Sequence, residues 1–410
     1  MPDALKLTAI REAIPALSAG IYLNTGSVGP LPAETASAMA AMAVWERDVG
    51  RGHPDSLPDA LARMDEARAG VAAVLGTDVR TVALTHSTTE GMNAATLAVL
   101  AVVAIDPGMG ARAVTTRHEH AGGLGPLYAL RERGIELGFV DAGDDGDDER
   151  TLRAFDAAIT AGTRLVSISH VAWTTGAVLP VAGIAELAHA RGAMLIVDGA
   201  QAVGAIPFRM DELGADLYAL PAQKWLLGPE GMGALVVDPD LVERLTPALG
   251  GWYGFERIDG SGAAWWPDAR RFELSGFHRP SVVGMARSIG WLSMYVGLDF
   301  VHRRGMASAS AAAVRLAAIP GVTVLTPLHA MGTLVTFRIA GWSAQAALDE
   351  LGARVFAIAR TIPSLDALRI SVGFFTSDEE IERLAAAVAL LAAHTPESLP
   401  PRRLTILGHA

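Results

Sequence analysis

Met194-Leu195-Ile196-Val197-Asp198-Gly199-Ala200-Gln201 sets four consecutive apolar residues directly before a carboxylate and a glycine. A run that short and that apolar reads as a buried strand ending in an acid. Working outward, short apolar runs recur at Thr81–Thr85, Ala113–Thr116, Leu165–Ser169, Leu217–Leu220 and Gly233–Val237. Between them lie amphipathic stretches of helical pattern at Thr89–Val103, Leu124–Arg133, Thr151–Ala161 and Ile184–Arg191. This alternation predicts an α/β fold: a large domain with a mostly parallel central sheet flanked by helices. Ligands of such sheets gather beyond the carboxyl ends of the strands. The polar residues that follow the strands are therefore the first candidates for a site: Ser87, His120, His170, Asp198 and Lys224.

Further along, residues 250–280 are rich in Trp, Gly and charge and read as an irregular connection. Helical patterns at Val282–Tyr295, Ala307–Ala318 and Asp378–Ala392, with strands near Val322–Thr326, Gly332–Arg338 and Ala367–Ser371, predict a smaller α+β domain. The expected division is residues 20–270 for the large domain, 1–19 and 281–393 for the small one, and a loosely ordered tail over 394–410.

Composition narrows the function. With 410 residues, 51% of them apolar and 19% charged, the chain is a globular protein able to bury a large core. A formal net charge of −11 without any Lys/Arg run argues against nucleic acid or an anionic membrane as partner, and for a small molecule. The first twenty residues lack the basic and apolar regions of a secretory signal, and the most apolar window, Ala94 to Ile105, is shorter than the roughly 20 residues of a membrane span. A cytoplasmic protein is expected. There is no cysteine, hence no disulfide, thiolate metal site or thiol nucleophile.

Of 33 basic residues only Lys6 and Lys224 are lysine. Lys224 stands in the apolar, Gly-bounded segment Leu220-Pro221-Ala222-Gln223-Lys224-Trp225-Leu226-Leu227-Gly228, where burial depresses an amine's pKa. A lysine in that setting forms an imine, and arginine cannot. Asp198 alone suits a ribose hydroxyl, a metal, a protonated ring nitrogen or a helix cap. Thr85-His86-Ser87-Thr88-Thr89-Glu90-Gly91 sets hydroxyls and free N–H groups at a helix N-terminus, which serves as a cap or an anion site. His118-Glu119-His120 lacks metal-motif spacing, and a flat imidazole past a strand end can instead stack on an aromatic cofactor; no metal is expected. Neither G-x-G-x-x-G nor G-x-x-x-x-G-K-[ST] is present.

Taken together, Tyr22-Leu23-Asn24-Thr25-Gly26-Ser27-Val28-Gly29, His86 to Asn93, Glu119-His120, Ser169-His170-Val171 with Thr175-Gly176, Asp198 to Gln201, Gln223-Lys224-Trp225 and Leu368-Arg369-Ile370-Ser371 resemble the class V aminotransferase family of fold-type I pyridoxal-5′-phosphate (PLP) enzymes, which includes cysteine desulfurase-like and isopenicillin N epimerase-like proteins. The resemblance implies PLP as a Schiff base on Lys224, Asp198 at the pyridinium nitrogen and His120 on the stacking face. It implies Ser87, Thr88 and Thr89 at the phosphate with Gln223 able to donate there, Gln201 near the phenolic oxygen, and Arg369, with Asn24 and Trp173, at the substrate. A homodimer is implied as well. The chain departs from the family pattern at Gln223 and Pro221, where relatives often carry His and Ser, and at Trp173, where many carry Asn. Phe272-Glu273-Leu274-Ser275-Gly276 also lacks the Thr that relatives contribute to the neighbouring subunit's phosphate.

The expected activity is that of an aminotransferase on an amino acid. A β-lyase acting on C–S or other bonds, or an epimerase, is the alternative, and a non-catalytic PLP-fold binding protein is a reading from another class. The missing cysteine leads to one more expectation, that the enzyme is not a persulfide-forming cysteine desulfurase.

Overall fold

The computed structural model describes residues 3–102 and 111–401. Seven strands form the main sheet: β1 Val82–Thr85, β2 Arg112–Thr116, β3 Glu136–Val140, β4 Thr163–Ser169, β5 Met194–Asp198, β6 Leu217–Pro221 and β7 Gly233–Val237. Their spatial order is β1-β7-β6-β5-β4-β2-β3. All neighbours pair in parallel except β7, which runs antiparallel to both β1 and β6. β1 thus points the same way as β6, so six strands deliver their carboxyl ends to one edge.

Helices cover both faces. Thr88–Val102 lies on the sheet through Met92, Ala95, Ala98 and Val99, against Ala83, Ile196, Leu217, Ala219 and Leu235. Its close approach depends on Gly91, where a Cβ would stand 2.9 Å from that of Ala219. On the other face Ala33–Val49 and Ser56–Leu75 pack with Arg279–Gly290. Ile10, Ile14 and Leu17 enter that same core, while Arg11 donates to Glu380 and to the Phe375 carbonyl.

A second, antiparallel sheet holds β8 Val322–Val324, β9 Leu334–Ile339, β10 Arg360–Ile362 and β11 Ala367–Ser371 in the order β8-β9-β11-β10. Helices Leu298–Ala317, Ala344–Val355 and Asp378–Ala392 back it with Ala312, Leu316, Leu351, Leu384 and Val388. Threonines join the two sheets: Thr336 Oγ1 donates to the Thr174 carbonyl at 2.6 Å and Thr326 Oγ1 to the Thr175 carbonyl at 2.5 Å.

The α/β reading holds, with differences that have local causes. β3 escapes the pattern because it is half exposed and interrupted by Gly138, across which the Arg112 guanidinium lies. The connection read as irregular contains a hairpin, Phe255–Asp259 with Gly262–Trp265, closed by Phe255 stacked on Trp265 at 3.9 Å. The helix expected to run to Tyr295 ends its α turns at Gly290 and continues as a π turn, Trp291–Val296. Of the tail read as loosely ordered, residues 402–410 lie outside the described residues, as do 103–105 of the apolar window. No described helix is long and apolar enough to cross a membrane.

Candidate active site

Where the strands end, a cavity of about 230 Å³ opens between the two sheets. Its wall includes Ser87, Thr88, Thr89, His120, Trp173, Asp198, Gln201, Gln223, Lys224 and Arg369, each singled out from the sequence. Two candidates are not on the wall: Asn24, whose backbone bridges Ser371 and whose Oδ1 is buried without a partner, and His170, which is buried against Tyr218. Gly26 and Ser27, part of the family-like segment Tyr22 to Gly29, line the cavity as well, and so does Arg360, which was not anticipated.

Lys224 follows β6 in a loop closed by backbone bonds, Ala222 N to the Met232 carbonyl and Gly228 N to the Ala222 carbonyl. Gly29 lies so close that a Cβ there would stand 2.2 Å from the Lys224 carbonyl. Burial pushes the Lys224 amine down to about 8, opposed by the charge of Asp198 and reinforced by Arg369 and Arg360. Such an amine is available uncharged near neutral pH, the form that makes an imine or removes a proton.

Asp198 is buried at the end of β5; its Oδ1 accepts from Ala200 N at 2.9 Å, and no other described group takes its second oxygen. Beneath it the Tyr218 ring packs under Gly199, where any Cβ would collide with it, and the Tyr218 hydroxyl meets His170 Nδ1 at 2.9 Å. Burial lowers His170 to about 4, so this histidine is neutral. Glu119 is buried beside the same strand end, accepting from Thr116 Oγ1 at 2.6 Å and Ser169 Oγ at 2.5 Å; burial raises it to about 7.

Helix Thr88–Val102 begins at the cavity wall. Ser87 Oγ accepts from Glu90 N, and Glu90 in turn accepts from His86 N, so this end is capped by its own residues. The helix's first N–H groups have no intrahelical acceptor, and Thr88 Oγ1 is buried without a partner. A capped helix start with a spare buried hydroxyl suits a phosphate. Gln223 Oε1 is likewise buried and unpartnered. Gln201 is more committed: it donates to the Gly26 carbonyl at 2.8 Å and accepts from Trp225 Nε1 at 3.0 Å.

His120 caps the helix Ala121–Arg131, its Nδ1 accepting from Gly122 N at 3.1 Å. It meets Trp173 edge-on at 5.3 Å, and burial lowers its pKa. Arg369, wholly buried on β11, donates to the Trp173 carbonyl at 2.8 Å. Pyridoxal phosphate fits this set: a single lysine amine, a carboxylate with a free oxygen, a helix start with a spare hydroxyl and a flat imidazole.

The comparisons agree. The model of the family described as Aminotransferase class-V matches residues 21–384. Isopenicillin N epimerase of Streptomyces clavuligerus is 32% identical over 399 residues, covering 90% of this chain and 94% of that protein. A probable cysteine desulfurase of Methanothermobacter thermautotrophicus is 27% identical, covering 76% of each chain. Among solved structures, a C-DES mutant with glycine covalently linked to its PLP cofactor superposes with a TM-score of 0.85 at 25% identity, over 92% of this chain and 98% of that one.

These relatives correct one expectation. Excluding a cysteine desulfurase because the chain has no cysteine does not stand, since several relatives carry that name. The physical reason is that cysteine content bears on what could carry sulfur, whereas the likeness to these relatives extends over most of the chain. The chain belongs to the aminotransferase class V family of PLP-dependent enzymes.

Proposed function

We propose that this enzyme removes the α-proton of an amino-acid substrate and then expels a substituent from the β-carbon. The observation that carries the reading is the chemistry of Lys224: one of two lysines in the chain, it stands at the cavity wall under the influence of Asp198, with its amine held at about 8. When bound, PLP supplies an electron sink for the substrate's α-carbon. Lys224 would anchor it, and its amine would serve as the base. Asp198 would keep the ring nitrogen protonated, because a carboxylate beside it favours the charged form. Ser87, Thr88, Thr89 and Gln223 would hold the phosphate, His120 and Gln201 would contact the ring, and Arg369 beside Trp173 would take the substrate carboxylate.

The relatives named cysteine desulfurase support loss of a β-substituent. Epimerisation is the second reading, favoured by the 32% identity to isopenicillin N epimerase. A homodimer belongs to the same proposal, supported by Leu57, Leu61 and Trp252, which lie exposed around one groove.

The test is a screen of amino acids with PLP-loaded enzyme. Elimination releases ammonia with a keto acid, transamination gives a keto acid without ammonia, and epimerisation inverts the substrate with neither. Ammonia with keto acid is expected. Keto acid alone, or no turnover by fully loaded enzyme, overturns the proposal.

A further inference from the structure

Arg360 and Arg369 stand opposite each other in the antiparallel pair β10–β11, and both line the cavity that contains Lys224. Side chains directly opposite on neighbouring strands share a face, with Cβ atoms about 5 Å apart. Two like charges so placed repel, and a partly dry surround strengthens the repulsion. A carboxylate between them would relieve it. Among the described residues none does: no acid acts on either arginine, burial and Arg360 lower Arg369, and the other cation nearby, Lys224, is itself lowered by both.

The uncharged contacts leave donors to spare. Arg360 reaches Ser27 Oγ at 3.2 Å and the Thr361 carbonyl at 3.3 Å, with its guanidinium 5.5 Å from the centre of the Trp173 ring. Arg369 spends one nitrogen on the Trp173 carbonyl and holds Ser27 Oγ at 3.5 Å, while its Nε is buried with no acceptor. Trp173 Nε1, which can only donate, is also buried without a partner. Around Trp173 the cavity wall thus gathers two arginines and a spare N–H donor, and its one carboxylate, Asp198, acts on Lys224 and on neither arginine.

One carboxylate neutralises one of these cations. On the reading above, the substrate's α-carboxylate goes to Arg369, the more deeply buried, which leaves Arg360 at the less buried position. We propose that Arg360 is a specificity-determining residue that receives a second anionic group, on the substrate's side chain. The substrate class is then an α-amino acid with an acidic side chain. This assignment rests on the PLP reading and names the substrate for the same site.

The test uses PLP-loaded enzyme, titrated with malonate, succinate, glutarate and adipate against the monocarboxylates of the same chain lengths. Binding is read from the cofactor absorbance and from thermal stabilisation. The best dicarboxylate should bind roughly tenfold or more tightly than its monocarboxylate, as a charge-assisted hydrogen bond implies. Arg360→Met should erase that preference with little effect on the monocarboxylates, and Arg360→Lys should restore part of it. The unliganded Arg360→Met protein should melt no lower than wild type, because a repulsion has been removed. Equal binding of both series to wild type, or a preference that survives in Arg360→Met, overturns the proposal. A melting temperature lowered by Arg360→Met with the preference intact assigns Arg360 a structural role and overturns it too. Failure of the protein to take up PLP, or borohydride labelling away from Lys224, counts against the PLP reading instead and is seen before any acid is added.

Discussion

Two buried arginines in this molecule live under opposite conditions. Arg68, on the helix Ser56–Leu75, donates to Glu273 and to Asp65, each at 2.6 Å, and Glu273 also accepts from Leu84 N. Every charge in that group has a partner, and the group ties a helix to the first strand of the main sheet. Arg369 is at least as deeply buried and has no acid near it. Desolvating a charge costs several kcal/mol, and only a close counter-charge with good hydrogen bonds offsets that cost. Arg68 is thereby a structural residue, and Arg369 is held at a cost in stability that a bound anion would repay.

Lys224 extends the contrast, as a third cation at the same cavity, lowered by its surroundings. Lys224→Ala should abolish covalent attachment of PLP altogether while leaving the fold at least as stable. Borohydride reduction with peptide mapping checks it, and a label on Lys6 would break the assignment.

Arg68→Met leaves Glu273 buried and unpaired, so a loss of about 3–5 kcal/mol in unfolding free energy is expected by denaturant titration. Turnover per folded molecule should hardly change. If the variant is as stable as wild type, the ion pair is not what joins helix to sheet.

Arg369→Met should do the reverse. With the proposed substrate contact gone, kcat/KM should fall by about a hundredfold, corresponding to about 2.7 kcal/mol. The melting temperature should hold or rise, since the variant removes an unpaired buried charge. A large loss of stability with unchanged kcat/KM would place Arg369 alongside Arg68.

The smallest effect concerns Glu119, which is buried between Thr116 and Ser169 and raised from 4.5 to about 7. Its native pKa lies above the unfolded one, so the folded state binds the extra proton between those values. The stabilisation is complete below about 4.5 and is lost as pH rises through about 7. His170, lowered from 6.5 to about 4, acts with opposite sign: its contribution is present above 6.5 and is lost as pH falls through about 4. The wild-type profile therefore mixes two slopes, and the informative quantity is the difference between wild type and Glu119→Gln. That difference should change by about 2 kcal/mol between pH 5 and 7. A flat difference would mean that Glu119 is ionised throughout.

Much of the site was legible because its parts are local. Ser87 to Glu90 after β1, Asp198 after β5 and Lys224 after β6 each follow an apolar run, and a parallel sheet collects such ends on one edge. Arg369 was legible by resemblance alone, being one of 31 arginines in the chain. Arg360 was not legible at all. It sits on a three-residue strand at the edge of the small sheet, and its nearness to Arg369 depends on a register that no local pattern announces. β3 was missed for a related reason, since Gly138 breaks the alternation that marks a half-buried strand.

The sequence by itself determined the α/β class, the direction of the main strands and the candidate for imine formation, because hydrophobic periodicity and the scarcity of lysine are properties of the chain alone. Tertiary structure decided which charges are compensated. Arg68 and Glu273 are 205 positions apart and pair at 2.6 Å, while Arg369 finds another arginine across its strand and no acid. The Coulomb energy of a charge depends on what lies within a few ångströms and on how much water remains there. Folding sets both quantities, and the order of residues along the chain sets neither.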